Sequence, residues 1–545
     1  MSFLGAQNSI ALGVQGLIHI DTGVVGSADY LLAKSLRFRS SASAYLNRTP
    51  ATAGNQKTWT ISGWFKRGQL GVRQQLITVG AGGGTAYFYL NFNATDTLEV
   101  NTYDSNAGVA IWDLITTQVF RDPAAWYHIV VAADTTQSTA SDRIKVYVNG
   151  NQITAFSTAT YPTLSYDTRY NINLASYINS YLGVSSFYDG ETAELNSVDG
   201  QALAPTSFGA SSTYNQWLPI KYAGTYGTNG FYLPFTNTTS TSTLVADSSG
   251  NGNNWTPNNI SLTAGSTYDS LTDVPTLTSE TVANYAVLNP LQNGAGTLSA
   301  GNLNLLGASA NWGTRVATIA VTTGKWYFET TVNTDPVTQG IMFGITQNAA
   351  PSSSLGQDSN GYSYYSSNGQ KYNNNVGSAY ATAAAVNDVI GVAFDITAGT
   401  LTFYKNNTSL GVAFSSLAAG TWFLGISCYG TATASINYGQ QPFVYTAPTG
   451  FLPLNTFNIA AGTVTTSGTF TGNLSTDGPM VYLNGTPTAM TINGNAVTFG
   501  TQADKLANGF KVRSSSVLYN LIGSNTYVAT TVGAVFKYED AQSNP

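Results

Sequence analysis

The sequence predicts an all-β chain built of tandem antiparallel β-sandwiches. Three observations carry that prediction. Segments of alternating apolar and polar residues recur roughly every 8 to 15 residues, bounded by Gly, Asn, Asp and Ser, which is the rhythm of sandwich strands. Helical periodicity is nearly absent, and the longest helix-friendly stretch, residues 379–386, is short. The chain is 43% hydrophobic and 12% aromatic yet only 9% charged, so it has cores to bury and long disorder is disfavoured. Its 545 residues suggest about three or four domains.

Charge and composition exclude several classes. The net charge is −6 and basic blocks are missing, which argues against nucleic-acid binding. Apolar runs are too short for a membrane-spanning helix, so no membrane insertion is expected. The first residues lack the charged start and cleavage pattern of a signal peptide. Cys428 is the only cysteine, which removes an internal disulfide and a cysteine metal site. His19 and His128 are the only histidines, too few for a multi-histidine zinc site.

Residues 1–30 are Gly-rich with scattered apolar residues, among them Leu4, Ile10, Leu12, Leu17 and Ile20. They are too short to fold alone. Two readings stand: a strand added to the first domain, or an arm that attaches the chain to a partner.

Residues 31–235 form the first domain, with strands expected at 35–39, 59–67, 75–79, 87–92, 126–134, 143–149 and 181–184. In WTISGWFKRG, Thr60, Ser62 and Trp64 share one face and Ile61 and Phe65 the other. IKVYVNG alternates and then turns at Asn149-Gly150, a strong hairpin signal. WTISGWFKRG, AWYHIVVAADTT, DRIKVYVNG and YDGETAELNSVDGQAL together resemble the laminin-G-like, concanavalin A-like jelly roll. The likeness is greatest to the version found in marine bacteriophage structural proteins. It implies a two-sheet sandwich of the lectin and glucanase type.

Residues 236–280 read as a linker rich in Gly, Asn, Ser and Thr, with Trp255 docking on a neighbouring domain. Residues 281–455 form the second domain. KWYFETTV and GIMFGIT are strands, residues 387–411 a hairpin turning at 397–399, and WFLGISC a buried strand. Lys325-Trp326-Tyr327-Phe328-Glu329, the hairpin at 388–406, and Asn437-Tyr438-Gly439-Gln440 with Pro442-Phe443 resemble the SPRY domain, the core of B30.2 modules. That resemblance implies a non-catalytic bent sandwich that binds ligands, mostly proteins, through loops at one edge. Residues 456–545 form a small C-terminal β domain, with strands expected in 468–474, 480–485, 489–494, 496–500, 516–523 and 526–539.

The jelly roll also hosts glycosidases, which need two nearby carboxyl groups in different protonation states. The alternating acids to seek reduce to Asp189, Glu191 and Glu194. In a regular strand Glu191 and Glu194 face opposite ways, so a solvated hairpin is expected, and no catalytic residue is assigned. His128 is expected to be a core or half-buried residue. No metal or other cofactor is assigned. Calcium stays open, either at Asp134, Asp142 and Asp189 near strand ends or at residues 247–254.

Ligand binding is placed at GYSYYSSNGQKYNNN, where Tyr362, Tyr364, Tyr365 and Tyr372 stand beside Asn373, Asn374 and Asn375. Rings offer sugars a face to stack on, and amides offer hydrogen bonds. The alternative is a hairpin whose rings cover the sandwich. Trp112, Tyr161, Tyr166 and Tyr188 are weaker candidates in the first domain.

The pair of resemblances implies a structural virion protein of a tailed bacteriophage, assembled in the bacterial cytoplasm. The expected role is a tail fibre or appendage binding a host-surface glycan or protein. Other virion proteins would be held through the N-terminal arm, and a homo-oligomer is expected, with a trimer favoured. The alternatives are a capsid decoration or head fibre without a receptor role, and an envelope glycan hydrolase.

Overall fold

Strand alternation sets the first sandwich. In Thr58–Arg67, Ile61 and Phe65 enter the core while Trp64 packs on the opposite face, as a period of two requires. The computed structural model describes residues 30–460 apart from 82–85, 105, 107, 213–215, 293 and 335–339, and beyond 460 only strand segments. Nearly all of the expected arm lies outside the described residues.

One sheet runs in the order Asn151–Gln152, Ile144–Val148, Trp126–Asp134, Thr58–Arg67, Gly190–Asp199, Ser35–Phe38 and Ser270–Leu271. Phe231–Leu233 also pairs with Gly190–Asp199. The facing sheet runs Phe156–Thr160, Val109–Val119, Thr97–Asp104, Ala86–Phe92, Gln74–Val79, Ser176–Ile178, Tyr45–Arg48 and Thr256–Asn258. Trp59, Phe65, Phe88, Leu90, Val100 and Trp112 fill the space between them. Each such side chain contributes roughly 1.5–3 kcal/mol on burial.

Two expectations are corrected here. The strand placed at 181–184 does not form, because Leu182 and Gly183 take φ of 52° and 74°, left-handed conformations that end pairing. Ser176–Ile178 makes the pairing instead. Residues 236–280 are not a free linker, since Thr256–Asn258 and Ser270–Leu271 are strands of the first sandwich. Trp255 is buried in that same core, edge-on to Phe231 at 5.0 Å.

The second sandwich has a sheet ordered Thr297–Ser299, Asn304–Leu306, Thr433–Asn437, Lys325–Val332, Val389–Asp395, Thr400–Lys405 and Thr408–Phe414. Its partner runs Trp312–Val316, Phe423–Tyr429, Ile341–Thr346, Gly361–Tyr365, Lys371–Asn373 and Val376–Ser378. Phe328, Ile345, Tyr364, Phe394 and Ile426 are buried.

The outer face of the first sheet carries buried charge. Lys66 donates to Asp273 at 2.5 Å, and to Asn284 Oδ1 and the Tyr285 carbonyl at 2.8 Å. Trp126 Nε1 and the Tyr285 amide also donate to Asp273. Burial, and then the charge on Asp273, push the Glu191 carboxyl well up. Burial also pushes the Asp273 carboxyl up, against the pull of the Lys66 ammonium beside it. Arg37 and Arg39 hold Asp269 at 3.2 and 2.8 Å. The Thr272 amide donates to the Gln440 carbonyl at 2.7 Å, so one segment joins both sandwiches.

Glu194 sits in a bulge between Ala193 and Asn196, with φ of 50°. Burial raises its carboxyl from 4.5 to about 7, although the Tyr30 and Tyr232 hydroxyls donate to it at 2.8 and 2.9 Å. The folded state therefore favours the protonated acid. The stability this group supplies is complete below about pH 4.5 and falls as pH rises through about 7. Glu194→Gln should remove that fall, a change of a few kcal/mol. Melting temperatures from pH 4 to 8 check this, and identical pH profiles for the two proteins would contradict it.

Residues from 459 onward belong to a second unit. Its described strands form one three-stranded and one five-stranded sheet. Thr469–Phe470, Met480–Leu483, Met490–Ile492, Thr526–Thr530 and Ala534–Glu539 fall within expected segments. Asn495–Val497 overlaps another, and residues 516–523 lie outside the described set.

Candidate functional site: a polar groove on the first sandwich

The side chains of the second sheet that point away from the core build a groove. In Thr97–Asp104, Leu98 and Val100 face inward, which turns Glu99, Asn101 and Tyr103 outward. Trp112 and Leu114 likewise leave Asp113 outward, and Phe88 and Leu90 leave Tyr87, Tyr89 and Asn91 outward. Register then aligns Tyr89, Asn101 and Asp113 in one row across three strands, and Asn91 with Glu99 in the next. The turn that displaced the expected strand brings Tyr181 over the row, its amide closed on the Ser185 carbonyl at 2.8 Å.

The groove measures about 540 Å³ and is lined by Arg73, Gln75, Tyr89, Glu99, Asn101, Tyr103, Asp113 and Tyr181, with Gly108–Ala110 and Ser185–Ser186 at its margin. That size suits a small-molecule site. Tyr89 lies 5.8 Å from Tyr181 and 6.4 Å from Tyr103. Tyr87 stacks on Tyr89 at 6.0 Å from behind. Tyr103 and Tyr181 keep part of their rings in solvent.

Its polar groups are incompletely paired. Arg73 donates to Glu99 Oε2 at 2.5 Å and to Asn91 Oδ1 at 3.3 Å. Asn101 Nδ2 donates to Glu99 Oε1 at 2.7 Å. Among the described residues, Gln75 Oε1, Asn101 Oδ1 and Asp113 Oδ1 have no partner, nor does Asn91 Nδ2 beside the lining. Each buried polar atom left unpaired costs about 1–3 kcal/mol, a cost a bound polar ligand would offset. Burial, and then the charge of Glu99, raise the Asp113 carboxyl to about 6.

The residues expected to bind ligand are dispersed. Tyr364 is fully buried and donates to the Thr382 carbonyl at 2.5 Å. Tyr362 is half-buried against Phe414 and Trp422. Tyr365 and Tyr372 pack edge-on at 5.6 Å on the other face of the strand, also half-buried. Asn373 donates to the Ser359 and Gly361 carbonyls. Asn374 and Asn375 form an exposed turn with φ of 52° and 58°. Trp112 and Tyr188 are core residues, and Tyr161 and Tyr166 are half-buried against the same core.

Asp189, Glu191 and Glu194 are buried, which corrects the solvated hairpin. Asp189 accepts from the amides of Ser40, Ala300 and Gly301 and from the Ser40 hydroxyl. His128 accepts at Nδ1 from Trp217 Nε1 and meets Ser62 Oγ at Nε2, both at 2.8 Å. Indole only donates, so Nε2 carries the proton and presents no basic lone pair to Ser62. Burial lowers this imidazole to about 3. Asp134 caps its own turn at Thr136 and Gln137, and Asp142 pairs with Lys145. Asp247 accepts from three amides within and beside the 247–254 turn. Among the described residues no three His, Cys, Asp or Glu side chains converge to hold a metal.

Residues 40–206 match the family model of the concanavalin A-like lectin/glucanase superfamily, and residues 325–441 match that of the SPRY domain. A subunit of the Set1/Ash2 histone methyltransferase complex, ASH2 of Drosophila melanogaster, is 27% identical over 172 residues, covering 23% of this chain and 30% of that protein. Ran-binding protein 10 of Danio rerio is 32% identical over 104 residues, 19% of this chain and 16% of that protein. This chain thus spans under a third of either relative. Among solved structures, the SPRY domain of human HERC1 aligns at 18% identity and a TM-score of 0.25, over 27% of this chain and 96% of that one. Stonustoxin aligns at 20% identity and a TM-score of 0.24, over 28% of this chain and 27% of that one. Within one chain, a concanavalin A-like lectin/glucanase domain is followed by a SPRY domain.

Proposed function

We propose that this is a structural virion protein of a tailed bacteriophage, a tail fibre or appendage that binds a host-surface glycan without cleaving it. The observation that carries the binding is the groove, where Tyr103 and Tyr181 offer ring faces beside unpaired amide oxygens of Gln75 and Asn101. A sugar ring needs both kinds of contact at once. The phage setting is supported by the order of its two modules and by the likeness of the first to phage structural proteins. Assembly in the bacterial cytoplasm, attachment through residues 1–30 and a homo-oligomeric state belong to the same proposal.

A second reading, an envelope glycan hydrolase, has one observation in its favour. Asp113, raised to about 6, stands beside Glu99, which is ion-paired with Arg73. A raised carboxyl group beside a second carboxyl group is the kind of pair that can serve as acid and base. One experiment separates the readings: incubating the full chain with bacterial lipopolysaccharide O-chains, capsular polysaccharides and peptidoglycan. Retention on at least one polymer with no new reducing ends is expected. No retention on any of them sinks the binding proposal, and reducing ends lost in Asp113→Asn establish the hydrolase.

A further inference from the structure

We infer that the groove selects saccharides presenting hydroxyl or amine donors and rejects those bearing a carboxylate. This rests on the reading of the groove as a glycan site. The buried, unpaired side-chain atoms of the groove's described lining carry it. Those atoms, Gln75 Oε1, Asn101 Oδ1 and Asp113 Oδ1, are all acceptors. Two of these assignments are fixed by chemistry. Asn101 must point Nδ2 at Glu99, because an ionised carboxylate only accepts, so Oδ1 is the atom left over. The Asp113 carboxylate likewise has only acceptors when ionised. Outside the lining, Asn91 Nδ2 is an unpaired buried donor, since Arg73 Nε already occupies Asn91 Oδ1.

Charge points the same way. Among the described residues Arg73 is the only cation lining the groove, and it is ion-paired with Glu99 at 2.5 Å. Ionisation of Asp113 then leaves the groove with one net negative charge. A hydroxyl or an amine meets the free acceptors with a proton. A uronic or sialic acid carboxylate meets them with lone pairs and like charge, and the described lining offers it only a cation already paired with Glu99. Unpaired acceptors facing a ligand that cannot donate are a strong means of rejection.

The test is binding of labelled full chain to a printed glycan array carrying neutral, amine-bearing and carboxylate-bearing saccharides. Neutral and amine-bearing glycans should supply the binders, with carboxylate-bearing counterparts of the same backbone at least tenfold weaker. Asp113→Asn should narrow the ratio between neutral glycans and their acidic counterparts several-fold. Equal or tighter binding of acidic glycans by the parent overturns the inference while leaving a glycan site standing. An unchanged ratio in folded Asp113→Asn also overturns it. Absence of any bound glycan overturns the glycan reading and the inference together.

Discussion

Replacing Lys66 with Met should destabilise the protein by about 3–5 kcal/mol, the usual consequence of removing one partner from a buried ion pair. Lys66 and Asp273 are both buried, and the ammonium also satisfies Asn284 Oδ1 and the Tyr285 carbonyl. Without it, three acceptors lose a donor inside the fold, and Asp273 must take up a proton or stay charged beside Glu191. The double variant Lys66→Met/Asp273→Asn should lose less, because the orphaned charge is gone. Urea unfolding followed by tryptophan fluorescence reads both variants, since Trp126 donates to Asp273 itself. A single variant within 1 kcal/mol of the parent would show that the cluster contributes little.

Tyr364→Ala should cost a similar amount, about 3–5 kcal/mol, as other large aromatic truncations in cores do. Its ring lies among Phe343, Tyr380 and Phe403 at 5.6–6.0 Å, and its hydroxyl is hydrogen-bonded to the Thr382 carbonyl. Tyr372→Ala should cost less, because that ring is only half-buried and, among the described aromatic residues, touches Tyr365 alone. Thermal unfolding of the two variants side by side checks the contrast. Equal losses would mean that the two rings are buried alike.

How much of this could be read from the chain depended on where polar residues fell. Thr58–Arg67, Trp126–Asp134 and Lys325–Val332 were legible because alternation or apolar runs ended at turn residues. Thr97–Asp104 and Val109–Val119 were missed, although TLEVNTYD alternates as a strand should. Those two strands carry Glu99, Asn101, Tyr103 and Asp113, so missing them hid the groove. Its row across three strands depends on register, which no short stretch of sequence reveals. The tyrosines at 362–372 drew attention because they are close in sequence. A strand sends alternate residues to opposite faces, and it put Tyr364 in the core and Tyr365 outside. Glu194 escaped the rule of alternation because a bulge resets the count between Ala193 and Asn196.

The central claim is that the groove, and not the tyrosine hairpin of the SPRY domain, holds the host glycan. The most direct test is adsorption, to whichever purified bacterial polysaccharide retains the parent, of the labelled full chain in three forms: the parent, Tyr103→Ala/Tyr181→Ala, and Tyr365→Ala/Tyr372→Ala. Removing aromatic contacts from a binding site typically costs a few kcal/mol. The groove variant should therefore bind at least tenfold more weakly with its melting temperature nearly unchanged, while the hairpin variant binds as the parent does. Full adsorption by the groove variant, with loss confined to the hairpin variant, would contradict the account.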